Sequence, residues 1–133
     1  MAKHAILVID MLNDFADPNG VLYCPNSRKI IPTMQKLFDW VRERNKNGND
    51  DIQLIFIQEA HRKNDADFKV RPVHAVKGTW GSDFIDELRP LENEYIVQKR
   101  RHSAFAHTDL DLYCREEKID TIVVTGTWTN VCV

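Results

Sequence analysis

The sequence lacks the long apolar segments of a membrane protein. In its 133 residues the apolar runs are only strand-length, whereas a membrane-spanning helix needs roughly 20 apolar residues. The first residues, Met1-Ala2-Lys3-His4, carry neither the apolar core nor the cleavage site of a signal peptide. We therefore expect a cytoplasmic protein that does not bind a membrane.

The chain also lacks an excess of positive charge. Its formal net charge is −2, with both signs mixed along the sequence, whereas proteins that bind nucleic acids usually carry a basic face. The one cationic cluster, Lys99-Arg100-Arg101-His102, is too short to predict such a face. We interpret Arg100, Arg101 and His102 as a solvated or interface patch and expect no nucleic-acid partner.

Cysteine is scarce and irregularly spaced. The three cysteines, Cys24, Cys114 and Cys132, are odd in number, far apart and without Cys-x-x-Cys spacing. This pattern argues against a disulfide framework and against a zinc knuckle. No charged motif surrounds Cys24 or Cys114. Cys132 lies on a predicted turn that leaves a buried strand, where α/β proteins usually bind their ligands, so it is the candidate nucleophile.

The distribution of apolar residues predicts an α/β fold. With 43% hydrophobic and 29% charged residues, residues 1–133 are expected to form one domain around one core. Continuous apolar runs predict strands at residues 5–9, 54–57, 95–97 and 121–125. The alternation of these strands with helical segments predicts a three-layer α-β-α arrangement around a mostly parallel sheet.

Three helical segments separate the predicted strands. After a predicted loop over residues 13–29, apolar residues at helical spacing indicate a helix that starts near Ile30 and ends at Gly48. A short helix is predicted near Asp83–Leu88. Thr108, followed three residues later by Asp111, is similar to a capping box that opens the last helix.

Three ionisable residues, Asp10, Lys99 and Cys132, follow three of the predicted strands. The carboxyl ends of parallel strands lie at one edge of a sheet, so these residues can converge there. A nearby cation lowers the pKa of a thiol, and a carboxylate can accept the thiol proton and return it to a leaving amine. The combination indicates acyl transfer.

Each of these residues also has a simpler interpretation. Asp10 can be a turn or capping residue, Lys99 a solvated surface lysine, and Cys132 a small buried hydrophobe. Taken singly, these interpretations are favoured. Taken with the motifs that flank the three residues, the catalytic interpretation is favoured.

Three separated motifs carry a family resemblance. They are Val8-Ile9-Asp10-Met11-Leu12-Asn13-Asp14-Phe15, then Lys99 with Ser103-Ala104-Phe105 and Thr108, and finally Gly126-Thr127-Trp128-Thr129-Asn130-Val131-Cys132-Val133. Together and in this order they resemble the isochorismatase-like cysteine hydrolases, a family that includes nicotinamidases, N-carbamoylsarcosine amidases and ureidoacrylate amidohydrolases. The resemblance implies a Rossmann-like sheet.

The resemblance also implies a role for each motif. Asp10 would be the general base, Lys99 the stabiliser of the thiolate and Cys132 the nucleophile. A non-proline cis peptide between Thr127 and Trp128 would turn the backbone N–H groups of Trp128 and Cys132 into an oxyanion hole. The implied enzyme hydrolyses a small-molecule amide or ureide through a thioester, releases ammonia or an amine, requires no diffusible cofactor and forms a homo-dimer or homo-tetramer.

Phe15, Arg71 and Trp128 are the predicted substrate-binding residues. Phe15 and Trp128 could form apolar walls, although Phe15 could equally pack in the core. Nicotinamidases tend to have tryptophan where this chain has Arg71. An arginine is suited to a substrate carboxylate, which favours a ureido or carbamoyl acid over nicotinamide.

Glu59, His61 and His74 form a candidate metal site for zinc or iron, since two imidazoles and a carboxylate leave coordination positions open. Nicotinamidases resemble this set, with Asp in place of Glu59. Alternatively, the two histidines hydrogen-bond to loop backbone.

Members of the family continue beyond the point that corresponds to Val133. We therefore expect a longer natural protein, with the C-terminal part of the domain missing from residues 1–133. The chain alone would then be inactive or aggregate, with its fourth strand an exposed apolar edge.

Two other classes stay open: a catalytically silent binding or assembly module, and a redox or acyl-carrying thiol protein. An enzyme should show Cys132 alkylated much faster than Cys24 and Cys114 near neutral pH.

Overall fold

The computed structural model describes residues 2–133, in which four strands form one parallel sheet. The strands are β1 (His4–Ile9), β2 (Ile52–Glu59), β3 (Tyr95–Lys99) and β4 (Thr121–Gly126). The α-helices are α1 (Asn13–Ala16), α2 (Pro25–Lys29), α3 (Ile31–Lys46) and α4 (Leu110–Glu116). Each predicted strand lies within an observed one.

The order of the strands in the sheet is β3-β2-β1-β4. In the register, Leu7 of β1 is paired with Ile55 of β2 on one side and with Val124 of β4 on the other. The chain thus proceeds outward from β1 to β3 and then crosses to the opposite side of β1. Ligands of open α/β sheets bind where the strand order reverses, which here is beyond the carboxyl ends of β1 and β4.

Helices cover both faces of the sheet. Ile6 and Val8 belong to the apolar cluster that contains α3, whereas Leu7 and Ile9 belong to the cluster that contains α4. This alternation follows from the two-residue period of a strand, which directs successive side chains to opposite faces. The predicted three-layer α/β arrangement is therefore confirmed.

Residues 13–29 contain more regular structure than the predicted loop. They form the short helices α1 and α2, and Phe15 of α1 is buried in the core. Both helices are too short to show a helical repeat of apolar residues, which explains why the pattern predicted a loop. The short helix predicted near Asp83–Leu88 is replaced by two 3-10 turns at Trp80–Ser82 and Asp86–Leu88.

The capping-box prediction is wrong. Asp109 occupies the N-cap of α4 and its side chain makes no capping hydrogen bond. The Thr108 hydroxyl accepts a hydrogen bond from the Leu110 N–H at 3.2 Å. Asp111, the other half of the predicted box, instead accepts a hydrogen bond from Arg115 one turn later at 2.9 Å. The start of α4 is thus stabilised by a local threonine turn.

β4 is an edge strand with apolar side chains in contact with solvent. Val123 is 46% exposed and Val124 is 49% exposed. An edge of this kind is a template for pairing with another strand. None of the helices within residues 2–133 is long and apolar enough to cross a bilayer.

Candidate active site

The structure brings Asp10, Lys99 and Cys132 together, as expected from their positions after three strands. Asp10 directly follows β1, Lys99 is the last residue of β3, and Cys132 lies in the turns that follow β4. The Lys99 ammonium nitrogen, Nζ, lies 2.9 Å from Asp10 Oδ2 and 3.5 Å from Cys132 Sγ. A carboxylate, an ammonium group and a thiol thus form one contiguous cluster.

Glu59, the last residue of β2, contacts both Lys99 of β3 and Asp10, which follows β1. Since β2 lies between those strands, the long Lys99 side chain must pass over β2 to reach Asp10. Glu59 is the partner of Lys99 in the β2–β3 register, and its carboxylate is 3.8 Å from Lys99 Nζ. Its backbone N–H also donates to Asp10 Oδ1 at 2.9 Å. The Asp10 side chain is therefore held from two directions.

Asp10 and Lys99 are fully removed from solvent, with exposed fractions of 0% and 1%. A solvated surface lysine is thereby excluded for Lys99. Buried charges require partners because the cost of removing them from water is large. Lys99 finds its partners in Asp10 and in the Arg101 carbonyl, to which Nζ donates at 3.0 Å.

The environment raises the pKa of all three groups. Burial raises the pKa of Asp10 even though the Lys99 charge opposes it. Burial would lower the pKa of Lys99, but the charges of Asp10 and Cys132 outweigh it and raise that pKa. Burial and then the Asp10 charge raise the pKa of Cys132 to about 12, although Lys99 lowers it as expected from its charge. Burial and the Asp10 charge thus favour the protonated thiol.

A cavity of about 270 Å³ opens above the thiol. Its lining contains all three predicted substrate-binding residues and two of the three clustered ionisable groups. The lining residues are Asp10, Phe15, Leu22, Arg71, Pro72, His102, Thr127, Trp128, Val131 and Cys132. A small molecule in this cavity would contact Cys132 directly.

The walls of the cavity combine apolar and cationic groups. Phe15 packs edge to face against Trp128, with ring centroids 6.4 Å apart, and it also belongs to the buried core. Phe15 thus packs in the core and also lines the cavity, and its contact with a substrate stays a prediction. Arg71 is held by Asp67, whose Oδ2 accepts from Nε at 2.9 Å and lies 2.7 Å from Nη2.

The segment after β4 folds tightly against β1. The Thr127 N–H donates to the Ile9 carbonyl at 3.0 Å. Gly126 has a φ of +117°, and a Cβ there would lie 2.1 Å from the same carbonyl oxygen. Only glycine fits this conformation and this close approach.

The peptide bond between Thr127 and Trp128 is cis, as the resemblance implies. The Trp128 carbonyl accepts from the N–H groups of Val131 and Val133, both at 3.1 Å. Within residues 2–133, the N–H groups of Trp128 and Cys132 donate to no backbone or side-chain acceptor. No acceptor in the described part of the chain therefore occupies these two donors.

Glu59, His61 and His74 lie together, and all three are buried. Their ligand atoms are within 4.8 Å of one another. The outer nitrogen of each ring is held by an acceptor: His61 Nδ1 lies 2.8 Å from Asp65 Oδ2, and His74 Nδ1 lies 2.6 Å from the Pro72 carbonyl oxygen. The alternative prediction was that both histidines hydrogen-bond to loop backbone. The structure shows one such contact, between His74 Nδ1 and the Pro72 carbonyl oxygen.

The same three residues fit a divalent cation. Within residues 2–133, Glu59 Oε1 and His61 Nε2 are buried polar atoms without a hydrogen-bond partner. Outer-nitrogen contacts like those of His61 and His74 are the usual support of metal-binding histidines. A proton competes for the site, because burial lowers the pKa of His61 less than the nearby carboxylates of Glu59 and Asp65 raise it.

Three residues near the site carried no sequence signal that identified them. Asp65 contacts His61 and binds the guanidinium groups of Arg100 at 3.0 Å and Arg101 at 2.9 Å. In the predicted solvated or interface patch, Arg100 and Arg101 are therefore half-exposed and pair with the buried carboxylate of Asp65. His102 departs from that patch, since it lines the cavity with Nδ1 3.8 Å from Cys132 Sγ. Asp67, the partner of Arg71, is the third.

Comparisons with known proteins agree with the architecture and with the resemblance in the motifs. The chain matches the isochorismatase domain family over residues 4–133. The crystal structure of an isochorismatase-like hydrolase from Alkaliphilus metalliredigens is 72% identical in sequence, with a TM-score of 0.96, and the match covers 99% of this chain and 71% of that protein.

Two more distant relatives carry functional names. The ureidoacrylate amidohydrolase of Agrobacterium fabrum is 42% identical over 158 residues, which cover 99% of this chain and 67% of that enzyme. The pyrazinamidase of Pyrococcus horikoshii, whose structure is a complex with zinc, is 28% identical with a TM-score of 0.82, over 98% of this chain and 74% of that protein. The chain belongs to the isochorismatase family, as predicted, and it is a hydrolase of the kind that acts on carbon–nitrogen bonds other than peptide bonds.

Proposed function

We propose that the protein is a cysteine-dependent amidohydrolase that cleaves a small-molecule amide or ureide through a thioester. The observation that carries this proposal is the position of Cys132 Sγ, which lines the cavity and lies 3.5 Å from the ammonium group of the buried Lys99–Asp10 pair. Nucleophile, cation and base are thus within reach of one bound carbonyl group.

In the first half of the reaction, Sγ attacks the substrate carbonyl carbon. The carbon–sulfur bond forms, the carbonyl electron pair moves onto oxygen, and the thiol proton passes to Asp10. Because burial and the Asp10 charge favour the protonated thiol, the thiol needs Asp10 as the acceptor of its proton when sulfur attacks. The N–H groups of Trp128 and Cys132 donate to the new oxyanion. Lys99 offsets the negative charge on sulfur.

In the second half, Asp10 returns the proton to the leaving nitrogen. The carbon–nitrogen bond breaks, and ammonia or an amine departs from the thioester. Water then attacks the thioester while Asp10 accepts one of its protons, the carbon–sulfur bond breaks, and the thiolate regains that proton. Burial raises the pKa of Asp10, which makes its carboxylate a better proton acceptor than an ordinary aspartate.

Arg71 favours an anionic substrate, such as a ureido or carbamoyl acid. Asp67 engages its Nε and Nη2 groups, so a substrate carboxylate would meet the other edge of the guanidinium group. A charged hydrogen bond at the wall of a partly enclosed cavity is stronger than one between neutral groups. Neutral nicotinamide has no carboxylate with which to form such a pair.

A divalent cation such as zinc or iron would be held by Glu59, His61 and His74. When bound, such an ion would supply a Lewis acid that polarises a substrate oxygen or an adjacent water. The acyl-transfer steps above use only Asp10, Lys99, Cys132 and backbone N–H groups.

Ammonia release tests the proposal. The natural protein at its full length should be assayed with nicotinamide and with a set of N-carbamoyl and ureido acids, beside the variants Cys132→Ala and Cys24→Ala. We expect turnover of the ureido acids, its loss in Cys132→Ala and its retention in Cys24→Ala. Turnover that survives Cys132→Ala would refute the nucleophile, and faster turnover of nicotinamide would refute the substrate class.

The burial that raises the pKa of the Cys132 thiol favours one second candidate, a silent binding module that keeps the fold. Such a protein would bind a ureido acid without forming a covalent adduct. Mass spectrometry of the protein quenched in acid after mixing with a ureido acid separates the two, because only the amidohydrolase forms an acyl-Cys132 species.

A further inference from the structure

We infer that His102 is a second hydrogen-bond donor to the sulfur of Cys132 and acts from the solvent side of the thiol. The inference deepens the proposed function, on which it rests for its relevance to turnover. It assigns a role to a residue that the sequence placed in a surface patch.

The geometry sets His102 apart from the other groups near the thiol. Its Nδ1 lies 3.8 Å from Cys132 Sγ, within hydrogen-bond distance for sulfur. Asp10 lies buried at the inner wall of the cavity and Lys99 does not reach it, whereas His102 lines the cavity and is exposed to solvent. Sulfur is therefore contacted from the protein interior by Lys99 and from the cavity by His102.

A second hydrogen-bond donor would stabilise a thiolate at Cys132, which lies among negative charges. A thiolate at Cys132 would face the negative charges of Asp10 and Glu59 with Lys99 as the one buried cation of the cluster. These surroundings and burial raise the pKa of the thiol. An imidazole N–H directed at sulfur opposes that effect, since hydrogen bonds to a charged atom favour its charged form.

The matched variants are His102→Leu and His102→Asn. Asparagine can place an amide N–H close to the position of Nδ1, and leucine has nearly the same shape without a donor. Because His102 is exposed, neither substitution removes a buried contact. His107→Asn is the control, since His107 is also exposed but does not line the cavity, and its positive φ of 57° tolerates asparagine.

The experiment measures the rate at which iodoacetamide alkylates Cys132. Peptide mass spectrometry monitors the reaction at one fixed pH, with EDTA present. We expect His102→Leu to slow alkylation about tenfold, the effect of losing one hydrogen bond to a charged group. His102→Asn should retain most of the wild-type rate, and His107→Asn all of it.

Equal rates in the wild type and His102→Leu would overturn the inference. Equal slowing in His102→Leu and His102→Asn would also overturn it, because the loss would not depend on a donor. The alkylation assay needs no substrate. Its failure is therefore distinguishable from failure of the proposed function, which would appear as hydrolysis that survives Cys132→Ala.

Discussion

Lys99 Nζ lies 2.9 Å from Asp10 Oδ2 at a depth where neither side chain reaches solvent. The pair joins the edge strand β3 to the inner strand β1 across β2. It is therefore part of the architecture as well as of the proposed chemistry, and the two contributions can be separated by mutation.

Removing one partner of this pair should destabilise the fold. Lys99→Met leaves the Asp10 carboxylate buried beside Glu59 without its cation, which should cost about 3–5 kcal/mol of unfolding free energy. Urea denaturation measures this loss. The double variant Asp10→Asn with Lys99→Met should recover most of the stability but none of the activity. Recovery of activity in the double variant would contradict both proposed roles.

Arg71 should determine the preference for anionic substrates. Arg71→Met should raise KM for a ureido acid by about 10- to 100-fold, the effect of losing a charged hydrogen bond, and leave KM for a neutral amide nearly unchanged. Steady-state kinetics on both substrates measure the difference. Arg62→Met is the control, because Arg62 is exposed and does not line the cavity. A parallel change for both substrates would argue against a carboxylate contact.

The thiol of Cys132 should become more reactive with pH over a wide range. Burial and the Asp10 charge raise its pKa to about 12, so its thiolate fraction increases about tenfold per pH unit below that value. The rate of Cys132 alkylation, measured between pH 7 and 10, should therefore rise without a plateau. A plateau below pH 9 would show instead that Lys99 outweighs burial and Asp10, as the sequence alone had suggested.

Gly126 should tolerate no side chain. A Cβ at this position would meet the Ile9 carbonyl oxygen at 2.1 Å and would carry a φ of +117°, so Gly126→Ala should cost at least about 1–3 kcal/mol. Gly48→Ala is the matched control, because Gly48 also has a positive φ but no atom within 4 Å of the added Cβ. Thermal unfolding of the two variants distinguishes the cost of the close contact, which only Gly126→Ala carries, from the cost of a positive φ, which both variants carry. Equal losses would contradict the prediction.

Zinc should bind at Glu59, His61 and His74. After removal of metal with EDTA, the protein should take up about one zinc ion per chain, as expected for one site with two histidines and a carboxylate, and should melt at a higher temperature with zinc than without it. His74→Gln should abolish both effects, whereas His107→Gln should not. Binding should weaken at acidic pH, because burial lowers the pKa of His61 less than the carboxylates of Glu59 and Asp65 raise it, and protonated His61 cannot be a ligand. A wild-type protein that takes up no zinc would contradict the site.

The sequence determined the strands, the main helix and the identity of the clustered residues. Four apolar runs and one long amphipathic segment are strong local signals, because burial on one or two faces requires them. Three motifs in order indicated the family and placed Asp10, Lys99 and Cys132 at strand ends. No local pattern marks a helix as short as α1, and Thr108 with Asp111 was a misleading local pattern at α4.

The tertiary structure alone decided the electrostatics of the site. Nothing in the sequence shows that the Lys99 side chain is buried. Only the strand order β3-β2-β1-β4 makes that side chain cross β2 and pack against Asp10. The same packing raises the pKa of Cys132 and brings His102 within 3.8 Å of sulfur. Burial and distance between residues far apart in sequence set these properties, because desolvation and Coulomb interactions depend on position in space and not on spacing along the chain.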